Sequence, residues 1–304
     1  MVSSRYLANP QIEPKTIVQT GNPLRRSESG TEVLYLREYP ERLFAVLHEP
    51  SRPADVGLVF CPPLWGETTS TYARLAVCAK QLAKQGIAVL RYDAYGTGES
   101  DGESEDFTLE SALADAVTAA TYLREVYGAK RVGLFGLRFG ASVAVHSALA
   151  SQPDFLLLWS PILNLRQCMR ELLRLRLTKE LVHQQYDHVR VTTQSMMSEL
   201  DAGRPVDIVG YELSPSFYEQ MVSHSSWPER QPAGEVLWLG RQREQAQGMP
   251  MVERWRSQGG QLEAQFLNEI AFWEENSPSL FPRLFMDVSY AWLASLMRRT
   301  ESSK

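Results

Sequence analysis

A chain of 304 residues that is 44% hydrophobic and 22% charged is long enough for one large domain, or for one domain carrying an insertion. Its formal net charge of -5 excludes a general electrostatic attraction to nucleic acid. Three cysteines, Cys61, Cys78 and Cys168, are too far apart for a C-x-x-C pair, which excludes a disulfide framework or a cysteine zinc site and leaves reduced thiols.

Residues 1–31 are polar and carry Pro10, Pro14 and Pro23, so a loosely held arm is expected there. The first twenty residues lack the apolar core of a secretory signal. The longest apolar run, from Phe155 through Trp159 and on to Leu163, is broken by Ser160 and Pro161 and is too short to span a bilayer. The expectation is a cytoplasmic protein without a transmembrane segment. Residues 32–38 and 42–48 are rich in β-forming side chains around Tyr39-Pro40-Glu41, which predicts a hairpin. A continuous apolar strand is predicted over 56–61, followed by Pro62-Pro63-Leu64-Trp65-Gly66-Glu67, a helix over 70–85 stopped by Gly86, and a second buried strand over 87–92.

The run Asp93-Ala94-Tyr95-Gly96-Thr97-Gly98-Glu99-Ser100 leads into an acidic loop holding Asp101, Glu103, Glu105, Asp106 and Glu110. These acids read as a solvated turn before a helix over 108–127, and no metal or cofactor is expected. Next come a strand over 132–135, a helix of small residues from Ala141 to Leu149, and a strand over 155–159. Strands alternating with helices at this interval predict a parallel sheet covered on both faces. Residues 162–203 interrupt the alternation with a basic helical segment read as a cap insertion, with Arg166, Arg170 and Arg174 along one face. The core then comprises 32–161 and 204–304, with a strand over 236–239, a helix over 252–257, a strand over 262–267 and a closing helix over 280–297.

Gly136-Leu137-Arg138-Phe139-Gly140 sits at a strand-to-helix junction with the glycine spacing of G-x-S-x-G, the turn that raises a nucleophile above a parallel sheet. The middle residue is Arg138. With the 93–100 run and the CPPLWGE loop, this pattern resembles the α/β-hydrolase fold from Glu32 to Met297. The resemblance implies a mostly parallel sheet of about eight strands, helices on both faces and a helical cap. Within that superfamily the chain is similar to the serine-aminopeptidase-like hydrolases found beside exosortase systems, whose second type shares G-L-R-x-G, P-P-x-x-G-E and a late Phe-Trp pair, here Phe272-Trp273.

A serine hydrolase needs a nucleophile, an acid and a histidine, the last in the loop after the final strand. The histidines are His48, His146, His183, His188 and His224, and that loop reads Asn268-Glu269-Ile270-Ala271-Phe272-Trp273. Arg243 stands where the acid is expected, with Glu244 one place on as a displaced candidate. Two substitutes are Ser100, in a literal G-x-S-x-G that opens no helix, and Cys61, with His146 or His188 as its base. The elbow still offers the amide of Phe139, with a second donor from Leu64 or Trp65, and Arg138 adds a forked cation, together suited to a carboxylate or phosphate. The alternative is internal neutralisation of Arg138 by Glu67, Asp93, Glu244, Glu269 or Glu274. The candidate ligand site is therefore Arg138, Phe139, Leu64, Trp65 and Glu67. Three functions stand: a binding protein for an anionic small molecule or a protein partner, a hydrolase or acyltransferase with a nonstandard nucleophile, and a scaffold subunit.

Overall fold

The computed structural model describes residues 25–26, 30–52, 54–183, 191–224, 227–274, 277 and 281–301. Strands that are apolar at nearly every position can be satisfied only between two layers of helices. Four such runs form the centre of the sheet: β4 (Val56–Cys61), β5 (Ile87–Tyr92), β6 (Arg131–Leu137) and β7 (Phe155–Trp159). They run parallel, in the order β5-β4-β6-β7. On one side the antiparallel β3 (Phe44–His48) and β2 (Thr31–Tyr35) extend the sheet, with the two-residue β1 (Arg25–Arg26) at the margin. On the other side lie β10 (Glu235–Arg241) and β11 (Gln261–Leu267), both parallel to β7. Eight principal strands and one short margin strand thus make one mostly parallel sheet, as expected of the α/β-hydrolase fold.

Period-two alternation divides the strand side chains between two cores. Leu58 and Phe60 join Leu75 and Ala79 of α1 (Trp65–Lys84) and Phe285 and Leu293 of α8 (Arg283–Glu301). Val59 and Cys61 join Ala116 of α2 (Leu109–Thr121), Val143 of α3 (Phe139–Ser151) and Trp255 of α7 (Gln245–Ser257) on the opposite face. Thr108 caps α2 by accepting from the Ser111 amide, and the helix ends in a wide turn over Tyr122–Val126.

Three helix starts differ from the sequence expectation by three residues or more. α1 begins at Trp65 instead of residue 70, because Glu67 and Thr68 complete a first turn that carries no apolar periodicity. α7 begins at Gln245 instead of 252, passing through Gly248 and Pro250, residue types that disfavour a helix interior. The closing helix starts at Arg283, after Pro282. Between β7 and β10 the chain leaves the sheet to form α4 (Leu165–His183), α5 (Thr193–Asp201), a hairpin of β8 (Val206–Ile208) and β9 (Tyr211–Leu213), and α6 (Pro215–Ser223). Elements outside the large sheet thus continue past residue 203 to residue 223. Residues 184–190, within the expected helical segment, and 1–24 of the expected arm lie outside the described residues.

Candidate functional site

Arg138 occupies the single residue between β6 and α3, with φ 56° and ψ -114°, a backbone state that costs a side-chain-bearing residue about 1–3 kcal/mol. Its amide donates to the Trp159 carbonyl at 2.9 Å, which ties the turn to the end of β7. The flanking glycines are required by contact. A Cβ on Gly136 would lie 2.2 Å from the Ala141 nitrogen, and one on Gly140 would lie 2.3 Å from the Cys61 carbonyl oxygen. This tight turn lifts the Arg138 side chain to the carboxyl edge of the sheet.

There its Nε donates to Glu67 Oε1 at 3.1 Å. Glu67 is in the first turn of α1, and its other oxygen, Oε2, is buried without a hydrogen-bond partner. Burial pushes the Glu67 carboxyl above its ordinary value, against the pull of Arg138. Burial also works against the charge of Arg138, yet the Glu67 carboxylate outweighs it and holds the guanidinium above its usual value. Of the five carboxylates considered for Arg138, Glu67 is the one in ion-pair contact; Asp93 accepts from the Glu99 amide, Glu269 from the amides of Ile270 and Leu284, and Glu274 meets Arg243.

A Ser-His-Asp site draws on the loops that here follow β6, β10 and β11. In this protein the turn after β6, the last residue of β10 and the loop after β11 bring together Arg138, Arg241 and Trp273. Two guanidinium groups lie over the Trp273 ring, whose centroid is 5.5 Å from Arg138 Cζ and 4.6 Å from Arg241 Cζ. Arg241 in turn pairs with Glu244 at 2.6 Å, and the Glu244 carboxylate also accepts from the Arg241 amide. Glu244 thus closes a local turn around Arg241. Sequence reasoning missed Trp273 and Arg241 as members of this cluster. The signal was the position of Trp273 itself, in the loop searched for a histidine.

The other named residues divide between two roles. Phe139 is buried, packing edge-on against Phe107 and Phe217, while Leu64 is the residue before α1. Trp65 has φ 43°, and its ring stacks on Tyr211 of β9 at 5.7 Å with 6° between planes; Tyr211 also hydrogen-bonds Thr69 at 2.9 Å. Ser100 is structural: its hydroxyl donates to the Asp93 carbonyl and accepts from the Phe44 amide. Cys61 ends β4 fully buried, and burial pushes its thiol up to about 12. His146 of α3 meets His224 at 6.4 Å between centroids and is pushed down to about 4 by burial; His48 lies within β3, and His188 is outside the described residues. No three His, Cys, Asp or Glu side chains among the described residues are grouped to hold a metal ion. No helix among the described residues is long and apolar enough to cross a membrane.

The elbow separates two cavities of about 510 Å³ each. One is lined by the charged side chains of Arg138, Arg241, Arg243, Glu244 and Glu171; the other is mainly apolar, walled by Trp65, Tyr211, Phe107, Phe139 and Val143.

Residues 65–231 match the family described as serine aminopeptidase, S33. No curated protein matches the sequence. Among solved structures, Est1E from Butyrivibrio proteoclasticus with ferulic acid bound is similar with a TM-score of 0.57 and 14% identity, covering 87% of this chain and 99% of that one. XC6422 from Xanthomonas campestris, an α/β serine hydrolase without a lid, gives 0.54 and 17% over 91% and 97% of the two chains. Alpha/beta hydrolase domain-containing protein 10 from mouse gives 0.53 and 14% over 88% and 99%. At such identities the likeness establishes the fold. Because the family match spans more than half of the chain, from the first residue of α1 past α6, this protein belongs to the serine aminopeptidase S33 family of α/β hydrolases.

Proposed function

We propose that this protein is a pseudoenzyme that binds an anionic metabolite at its rebuilt elbow. The observation that carries the reading is the meeting of Arg138, Trp273 and Arg241 at the three strand ends whose loops otherwise supply nucleophile, base and acid. An arginine cannot deliver a hydroxyl to an acyl carbon, and a tryptophan cannot take up its proton. What the arrangement offers is binding. The Arg138 guanidinium lines a cavity of ligand size, which favours a carboxylate or phosphate.

The rival reading, a hydrolase or acyltransferase with a nonstandard nucleophile, is weakened at Cys61, whose buried thiol is held far from the thiolate state that attack requires. The scaffold reading has Glu67 neutralising Arg138 permanently. The raised carboxyl of Glu67 speaks against permanence, because its protonation releases Arg138 for another anion. The similarity to exosortase-associated hydrolases and a cytoplasmic residence belong to the same proposal.

The test is calorimetric titration with sulfate, which keeps its charge across the range. Binding that strengthens as pH falls and is lost in Arg138→Met supports the reading. Sulfate that does not bind, or binds equally to the variant, leaves the scaffold reading in its place. Turnover of p-nitrophenyl esters abolished by Cys61→Ala would favour the enzyme.

A further inference from the structure

A third cavity, of about 480 Å³, lies away from the elbow, in the insertion where α4 packs on α5 and α6. Its volume falls in the range of small-molecule sites. Arg166, Arg170 and Arg174 line it from α4, at steps of about 6 Å along the helix axis. Met197, Tyr218 and Val222 supply partly exposed apolar wall, with Met169 and Leu173 buried beneath it.

The three arginines are not equivalent. Arg166 donates an Nη2 hydrogen bond to the Val222 carbonyl at 2.8 Å, in the last turn of α6, and so fixes the packing of α4 on α6. Arg170 and Arg174 are exposed and have no carboxylate partner among the described residues. Of the acids on adjoining elements, Asp207 pairs with Arg176 at 3.2 Å and Glu199 pairs with Arg204, while neither Asp201 nor Glu219 pairs with these arginines. Like charges four residues apart repel one another along a helix. A chain of net charge -5 thus keeps a doublet of uncompensated cations at the rim of an apolar cavity.

We propose that this cavity binds a single-chain amphiphile with an anionic head, its phosphate or carboxylate held by Arg170 and Arg174 and its chain laid on Met197, Tyr218 and Val222. The arginines alone would suit a free phosphate; the apolar wall adds the chain. The site is independent of the elbow reading, since Arg138 is not among its residues.

The test is calorimetric titration of the full-length Arg138→Met variant, which removes the anion site proposed at the elbow, with dodecyl phosphate below its micelle concentration. Saturable binding is expected, weakened about tenfold or more when Arg170→Gln and Arg174→Gln are added, through loss of charge-assisted hydrogen bonds. Inorganic phosphate should bind at least about tenfold more weakly, and dodecyl maltoside should not bind. Equal affinity after the two added substitutions, or of inorganic phosphate or dodecyl maltoside, would overturn the proposal. Ionic strength provides a check without further substitution: exposed guanidinium groups lose affinity as salt rises, so salt-independent binding of dodecyl phosphate would overturn it as well.

Discussion

Replacing Arg138 by methionine tests the centre of the site. Methionine keeps much of the stem volume and bears the same positive φ, so the change in stability reports the loss of the charge. The pair is neither buried nor free: the Arg138 side chain is 22% exposed and that of Glu67 25%. Fully exposed pairs contribute about 0–1 kcal/mol, whereas breaking a buried pair costs about 3–5, so the expected loss is about 1–3 kcal/mol. For a chain of this length that lowers the melting temperature by about 2–5 °C. The loss depends on pH. Burial already holds the Glu67 carboxyl above its ordinary value, and removing Arg138 raises it further. The folded state then binds more protons than the unfolded chain between the ordinary carboxylate value and the raised one, so stability falls as pH rises through that window. The deficit measured by scanning calorimetry should be larger at about pH 8 than at about pH 5. Glu67→Gln in the Arg138→Met background should recover part of it, by removing the unpaired acid. A variant as stable as the parent at the higher pH, or a deficit that does not shrink in acid, would refute the reasoning.

Three further outcomes follow from the geometry. Gly140→Ala forces a Cβ against the Cys61 and Pro62 carbonyl oxygens, backbone atoms that cannot swing aside, and should cost about 3 kcal/mol in urea unfolding; an unchanged midpoint would mean that the elbow does not press on β4. Arg138→Ser should show no p-nitrophenyl esterase activity, because Trp273 cannot act as its base; turnover above the parent would contradict this. Burial pushes the thiols of Cys61, Cys78 and Cys168 up to about 12 each, so iodoacetamide at neutral pH should leave the native protein unlabelled by intact mass and label it in denaturant.

The sheet was legible because its central strands are apolar on both sides, a demand that few other structures impose. The elbow was legible for a related reason, since two glycines flanking one residue mark a turn that crowds its own backbone. The starts of α1 and α7 were not. Trp65 takes a φ that no local preference predicts, and the partners in place around it, Tyr211 and Phe217, lie about 150 residues away. Gly248 is a residue type that disfavours a helix interior, yet its missing side chain lets α7 approach Phe266, 3.0 Å from where a Cβ would be. At the site, five carboxylates were equivalent in sequence as partners for Arg138, and the choice of Glu67 depends on how the first turn of α1 faces the elbow. Arg241 was passed over because the neighbouring Arg243 occupies the position expected for the acid. Its contact with Trp273 joins a strand end and a loop that only the fold brings together.

The stacking of Trp65 on Tyr211 gives the protein a built-in optical reporter. Of seven tryptophans, the other six are buried and Trp65 is half-buried at the wall of the apolar cavity. A guest entering there must slide along the indole or tilt the β9 hairpin away from it, and either movement alters how much water the ring meets. Occupancy of that chamber should therefore register in emission colour without any attached dye, while filling the arginine-lined groove of the insertion leaves the spectrum unchanged.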